Sequence, residues 1–340
     1  MRASAFSFKL VSFSIGAALA GTLAACTTAR VSSAIESDRE PASVASCVAS
    51  LKAEIKRDAK ERDEIYKDYY NAKVKPGNHA RILVGSRSRE AVVLSHGYVA
   101  SPFEVLAVAE RLNREGYTVY LPLLFGYGST AETANRSDFL DWREDIHHGV
   151  ELLSRCYKKV IVGGISLGGA LATDFVLRHE SGQTPHLATI SGLLLFSPYF
   201  DVGAKLMRHL SPLISNLTPT VSMKTLRALT HSPDLNAVIN HPEFYNDEMP
   251  LLALRELFAL RESLTSSPQS AIQIPVFLAL SDADETVDVQ LADSFIKSRF
   301  SNVTEVMYPE NSGVAHQLTL PEANRYFTEL MLALSAFVNK

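Results

Sequence analysis

The stretch Gly164-Ile165-Ser166-Leu167-Gly168-Gly169 holds residue types and spacing suited to covalent chemistry. A serine hydroxyl is a weak nucleophile at neutral pH. It becomes useful where the backbone exposes it, a base takes its proton and donors stabilise the oxyanion that follows. G-x-S-x-G meets the first requirement when it joins a buried strand to a helix. The serine then sits on a sharp, strained turn, and the glycines on either side let neighbouring backbones approach. The flanks have that character. Residues 159–163 are an apolar, β-branched run that reads as a buried strand, and residues 170–177 read as a helix. The helix N-terminus just past Ser166 favours negative charge beside it.

The elements that must position this serine alternate along the chain. Residues 80–84, 91–95 and 117–121 read as strands, and a helix over 102–113 lies between the second and third, ended by Gly116. Further strands are expected at 190–197, 275–280 and 304–308, and a C-terminal helix from about Leu320. Alternating strands and helices imply a mainly parallel sheet. The stretch between Ser197 and Pro275 is too long for a single crossover helix and carries two helical stripes of its own. One is Leu206, Leu210, Leu213, Ile214 and Leu217; the other is Leu251, Leu254, Leu257, Phe258 and Arg261. The 340 residues are 46% hydrophobic and 21% charged, enough for one large core. A net charge of −4 supplies no electrostatic reason to expect nucleic acid. There is no zinc-ligand spacing, P-loop or internal repeat, and His147 and His148 have no third ligand near them in sequence, so neither metal nor cofactor is expected.

His96-Gly97-Tyr98 follows the second strand, and with the elbow at Ser166 it resembles the oxyanion loop of α/β-hydrolases. The likeness is greatest to the branch that contains monoacylglycerol lipases, bacterial carboxylesterases and serine aminopeptidases, and it spans roughly residues 80 to 336. It implies an α/β-hydrolase fold: a mostly parallel central sheet flanked by helices, with core segments at 76–200 and 271–340 and a helical cap inserted at 201–270. It implies that Tyr98 and Leu167 donate backbone N–H groups to the oxyanion while His96 shapes the loop. In the family an acid stands shortly before a branched aliphatic after the strand at 275–280. Asp284, three residues before Val287, matches that place, with Asp282 and Glu285 as alternatives. The base is a histidine in the loop after the last strand, here His316. Residues 121–128 resemble the family's Gly-His-Gly loop, with Tyr127 where histidine is usual, and Asp141-Trp142 opens a helix as in the same branch, Trp142 being a packing residue.

The activity this resemblance implies is hydrolysis of a small ester with an apolar acyl or aromatic group through an acyl-enzyme. Tyr98, Tyr127, Met207, Phe244 and Leu252 are the candidate substrate contacts. A serine aminopeptidase or amidase is the alternative, with Glu243, Asp247, Glu248 or Glu256 in the cap to hold a substrate amine. A non-catalytic envelope binding module is a third possibility.

The N-terminus reads as an address. Arg2 and Lys9 precede a short apolar run that ends at Leu23-Ala24-Ala25-Cys26. This resembles the bacterial lipoprotein signal, cut before a cysteine that is then lipidated, so residues 1–25 would be removed and Cys26 would carry the anchor. Thr27 is not the aspartate that retains such proteins in the inner membrane, which points to the periplasmic face of the outer membrane. Residues 26–75 form a tether and then a helix from Ser43, with Val44, Val48, Leu51 and Ile55 on one face and Tyr66, Tyr69 and Tyr70 packing its end. Outside the cell's reducing compartment the other two cysteines, Cys47 and Cys156, either bridge the helix to the core or stay as separate buried thiols.

Overall fold

Apolar runs that are buried along almost every position build the five inner strands of the sheet, as strands covered on both faces require. The computed structural model describes residues 41–185, 187–203, 216–230, 232, 235–266 and 271–340. The signal, Cys26, the tether to residue 40, Met207 and the first cap stripe as far as Ile214 lie outside the described residues. In chain order the elements begin with α1 (Pro41–Tyr70), β1 (Arg81–Leu83), β2 (Glu90–Ser95), α2 (Leu106–Arg114) and β3 (Thr118–Leu121). Next come α3 (Ala131–Ala134), α4 (Phe139–Ser154), β4 (Lys159–Ile165), α5 (Leu167–Glu180) and β5 (Thr189–Phe196). The cap contributes β6 (Thr220–Ser222), α6 (Met223–Thr230), α7 (Asn236–Asn240), β7 (Glu248–Pro250) and α8 (Leu254–Thr265). The core resumes with β8 (Val276–Ser281), α9 (Val289–Arg299), β9 (Val303–Tyr308) and α10 (Phe327–Val338).

Seven strands form one sheet in the order β1-β3-β2-β4-β5-β8-β9; β1 runs antiparallel to β3 and every other pairing is parallel. Side chains alternate between its faces. Val93, Val160 and Val162 join the apolar cluster that includes residues of α1, α4 and α5, while Val92, Leu94 and Ile161 join the cluster under α2 and α10. β4 lies in the middle of the sheet and is buried beyond Lys159, so Ser166 follows the end of a strand that is paired on both sides. In the cap, β6 and β7 pair as a separate two-stranded antiparallel sheet. No helix among the described residues is long and apolar enough to cross a membrane.

The helix α1 lies on the core through Val48, Leu51 and Ile55, and a disulfide joins its Cys47 to Cys156, with the two Cα atoms 5.8 Å apart. Tyr66 is buried and Tyr70, one turn on, half-buried, but Tyr69 is 75% exposed. The 3.6-residue repeat puts only two of the three tyrosines on the packed face. The C-terminal helix begins at Phe327 and not near Leu320. Asn324 holds the preceding segment as turns: its amide donates to the Leu318 carbonyl, and its side-chain oxygen accepts the Tyr326 N–H, which an earlier helix would have sent to the carbonyl four residues back. Leu217, placed by the sequence in an apolar stripe, is 85% exposed.

Candidate active site

The elbow has the strain that its sequence suggests. Ser166 stands at φ 51° and ψ −119°, a region costly to a residue with a Cβ, of order 1–3 kcal/mol. The surroundings hold it there. Its N–H donates to the Phe196 carbonyl at 3.0 Å, and its carbonyl accepts the Tyr199 N–H at 3.0 Å. A Cβ on Gly168 would fall 2.4 Å from the Ser95 carbonyl oxygen, and one on Gly164 would fall 2.6 Å from the same atom. Both glycines are therefore fixed by the close approach of the end of β2.

Asp284 follows β8 and His316 follows β9, so two neighbouring strands deliver the acid and the histidine to one end of the sheet. Asp284 Oδ2 lies 2.7 Å from His316 Nδ1, and both residues are buried. The other carboxylate oxygen accepts the Thr286 and Val287 N–H groups at 2.9 and 3.1 Å. Backbone donors thus fix the carboxylate, the carboxylate fixes the Nδ1–H tautomer, and Nε2 is left as the acceptor. Asp282 and Glu285 are exposed at the edge of the cavity described below. The Ser281 hydroxyl donates to the Val314 carbonyl at 2.6 Å and ties the end of β8 to the histidine loop.

Tyr98 and Leu167 line the same cavity as Ser166 and Asp284. Gly97 passes so near the serine that a Cβ there would be 3.1 Å from Ser166 Cβ. His96 is fully buried; its Nδ1–H donates to the Gly97 carbonyl at 2.8 Å, and its Nε2 accepts the Leu124 N–H at 3.1 Å. Burial pushes its pKa down to about 4, so it braces the loop as a neutral ring. Sequence reasoning missed Glu104, in the turn Pro102–Val105. Its Oε2 accepts the Gly97 N–H at 2.7 Å, and burial raises its carboxyl to about 7. Nothing in the sequence marks it, since an acid in the first turn of a helix is ordinary.

The cavity over Ser166 has a volume of about 840 Å³. Its walls are mainly apolar, with Leu226 and Leu229 of α6, Met249 of β7 and Leu254, Leu257 and Phe258 of α8 supplied by the cap. Of the expected substrate contacts within the described residues, Tyr98 lines it and three do not. Tyr127 is fully buried behind Tyr98, their ring centroids 5.7 Å apart, and packs on His96 and Trp142. Phe244 stacks on Phe103 at 3.9 Å. Leu252 is held by its N–H to the Asn135 side-chain oxygen at 2.9 Å, ahead of the helix turn that reaches the cavity. A helical stripe identifies an apolar face but not whether that face meets the core or a cavity.

Residues 86–320 match the family described as serine aminopeptidase, S33. The chain belongs to that family. It is similar to a thermostable monoacylglycerol lipase of Bacillus sp. (strain H-257), 26% identical over 223 residues that make up 65% of this chain and 81% of the relative. Among solved structures, one from work on the metagenome-derived lipolytic enzymes LipS and LipT superposes with a TM-score of 0.63 at 19% identity, covering 78% of this chain and 99% of its own. The monoacylglycerol lipase of Paleococcus ferrophilus gives 0.58 at 19% identity, covering 76% and 96%. These structural matches establish the α/β-hydrolase fold.

In this S33 hydrolase the four cap acids expected near a substrate amine do not line the cavity. Glu256 accepts the Phe139 N–H at 3.3 Å, and Glu243 faces His241 at 3.6 Å. Asp282, Glu285 and Asp288, from the loop that carries Asp284, are the acids at its edge. Trp142 is buried in the core, its indole N–H donating to the Phe125 carbonyl at 3.0 Å.

Proposed function

We propose that this hydrolase cleaves small carboxylic esters with an apolar acyl or aromatic group, using Ser166, His316 and Asp284. The observation that carries the reading is the apolar cavity opening on Ser166 beside the buried His316–Asp284 pair. His316 takes the serine proton as Ser166 attacks the ester carbonyl, and Asp284 stabilises the imidazolium. The Tyr98 and Leu167 amides hold the oxyanion, where losing one donor typically costs about 10²–10³ in rate. Collapse of the tetrahedral intermediate passes the proton from His316 to the leaving alcohol and leaves an acyl-serine. Water, activated by the same histidine, releases the acid and restores Ser166. The Bacillus relative's description as a monoacylglycerol lipase supports an ester over a peptide.

A panel of p-nitrophenyl esters from acetate to palmitate, with an aminoacyl p-nitroanilide alongside, tests this on the full chain in detergent. Ester turnover that disappears in Ser166→Ala is the expected result. Anilide turnover without ester turnover would move the assignment to a peptidase.

We further propose that the protein is an exported lipoprotein anchored through Cys26 at the periplasmic face of the outer membrane. The signal-like residues 1–25 and the Leu-Ala-Ala-Cys box support this. Two or more acyl chains suffice for stable anchoring, at about 0.8 kcal/mol per buried CH₂. Radiolabelled palmitate should enter the wild-type protein in cells and not Cys26→Ser.

A further inference from the structure

Glu104 joins three segments around the site. Its Oε2 accepts the Gly97 N–H at 2.7 Å, directly before the proposed oxyanion donor Tyr98. Its Oε1 accepts the hydroxyl of Tyr245, from the cap, at 3.3 Å. Its own carbonyl accepts the Thr319 hydroxyl at 2.7 Å, three residues past His316. The side chain is buried, and a buried carboxylate is costly unless something answers its charge. Among the described residues, the titratable groups that act on it are His316, from the loop after β9, and Tyr245, from the cap, whose phenol also senses Glu322; no described lysine or arginine does. A glutamine could accept the Gly97 N–H equally well, so the hydrogen bond alone does not call for a carboxylate.

We propose that Glu104 is a charged positioning residue of this active site: its carboxylate sets the Gly97–Tyr98 peptide for oxyanion binding and its negative charge supports the imidazolium that forms at His316. The inference rests on the ester-hydrolase reading, in which Tyr98 and His316 are the working groups. Two neighbouring groups of opposite charge favour each other's ionised forms, so a positive His316 would hold the Glu104 carboxyl down, as the Gly97 N–H does, against the larger effect of burial. With the carboxyl near 7, the support for the imidazolium appears as pH rises through neutrality. Protonation would also add a donor to the carboxyl and weaken it as an acceptor for the Gly97 N–H and the Tyr245 hydroxyl.

Glu104→Gln separates charge from hydrogen bonding, and Glu104→Ala removes both. Turnover of p-nitrophenyl butyrate is followed from about pH 5 to about pH 9, a range that spans the histidine and raised carboxyl ionisations. In Glu104→Gln, kcat above neutrality should fall about tenfold with KM within about twofold, and the acid limb of kcat/KM should move by about half a pH unit or more. In Glu104→Ala, kcat should fall by about 10² or more as the Gly97–Tyr98 peptide loses its anchor. Unfolding temperature supplies a readout independent of catalysis. A carboxyl raised by folding stabilises fully below its unfolded pKa, and that contribution is lost as pH rises through about 7. Glu104→Gln should therefore gain on wild type in Tm between about pH 5 and about pH 8. A pH–rate profile that superimposes on wild type overturns the proposal, and so does a Tm difference that does not change with pH. If wild type hydrolyses no ester, the reading beneath the proposal has failed. The rate at which a fluorophosphonate labels Ser166, followed over the same pH range in both proteins, then decides on Glu104 alone.

Discussion

Breaking the Cys47–Cys156 bridge should cost stability by an amount that its loop sets. The two cysteines are 109 residues apart in sequence. Closing a loop of that size removes chain entropy from the unfolded state worth about 4.7 kcal/mol, and measured losses usually run about 2–4 kcal/mol. Unfolding a chain of roughly 300 ordered residues carries about 0.6 kcal/mol per kelvin of entropy, so the full figure corresponds to a fall in Tm of about 7 °C. The assay is urea and thermal unfolding of Cys47→Ser, Cys156→Ser and the double variant, with and without a phosphine reductant. Either single substitution breaks the same bond, so the double should lose no more than the larger single loss. Reductant should bring wild type down to the double variant and leave the double unchanged. Activity should fall with it, because α1 braces the loop behind His96. Tyr66 accepts the Gly126 N–H at 2.7 Å and donates to the Tyr127 carbonyl at 3.1 Å, and Leu124 of the same loop bonds His96. A loss under about 1 kcal/mol, or single losses that add in the double, would refute the argument.

Three further substitutions probe the site. Asp284→Asn should lower kcat for p-nitrophenyl butyrate by about 10³–10⁴ with KM changed little, since the amide favours the wrong histidine tautomer; a fall under about tenfold would count against Asp284 as the orienting acid. Leu257→Trp, on the cavity wall, should shift the best acyl chain to a shorter one while turnover of p-nitrophenyl acetate stays within about threefold; an unmoved optimum would remove the acyl chain from that wall. Gly168→Ala should cost several kcal/mol and most activity, about 3 kcal/mol or more in urea unfolding, because its Cβ would meet the Ser95 carbonyl at 2.4 Å; wild-type stability and turnover would show that the elbow can yield.

The elbow was legible because steric necessity writes it into the chain: with Ser166 in a strained turn, Gly164 and Gly168 leave no room for side chains. The sheet was legible for a similar reason, since strands buried on both faces read as unbroken apolar runs. Asp284 was distinguished from Asp282 and Glu285 only by resemblance, and its two backbone donors give the physical reason it alone turns inward to His316. Cavity residues were legible only in part, Tyr98 and the stripe that holds Leu254, Leu257 and Phe258 being the part that was. Leu251, Leu254 and Leu257 of one stripe all join the core cluster, yet only Leu254 and Leu257 also line the cavity, and Tyr127 and Phe244 turn their rings into aromatic clusters that no local pattern predicts. Glu104 reaches Gly97 and Tyr245 across separations of 7 and 141 residues, and a single sequence does not record contacts of the latter kind.

Covalent labelling tests the central claim, that Ser166 is the nucleophile, most directly. The full chain is treated with a fluorophosphonate, and the adduct is located by peptide mass spectrometry. One adduct is expected, on the peptide containing Ser166, formed in step with loss of ester turnover and absent from Ser166→Ala. Full loss of turnover with the adduct on another residue, or persistent ester turnover in Ser166→Ala, would contradict that claim.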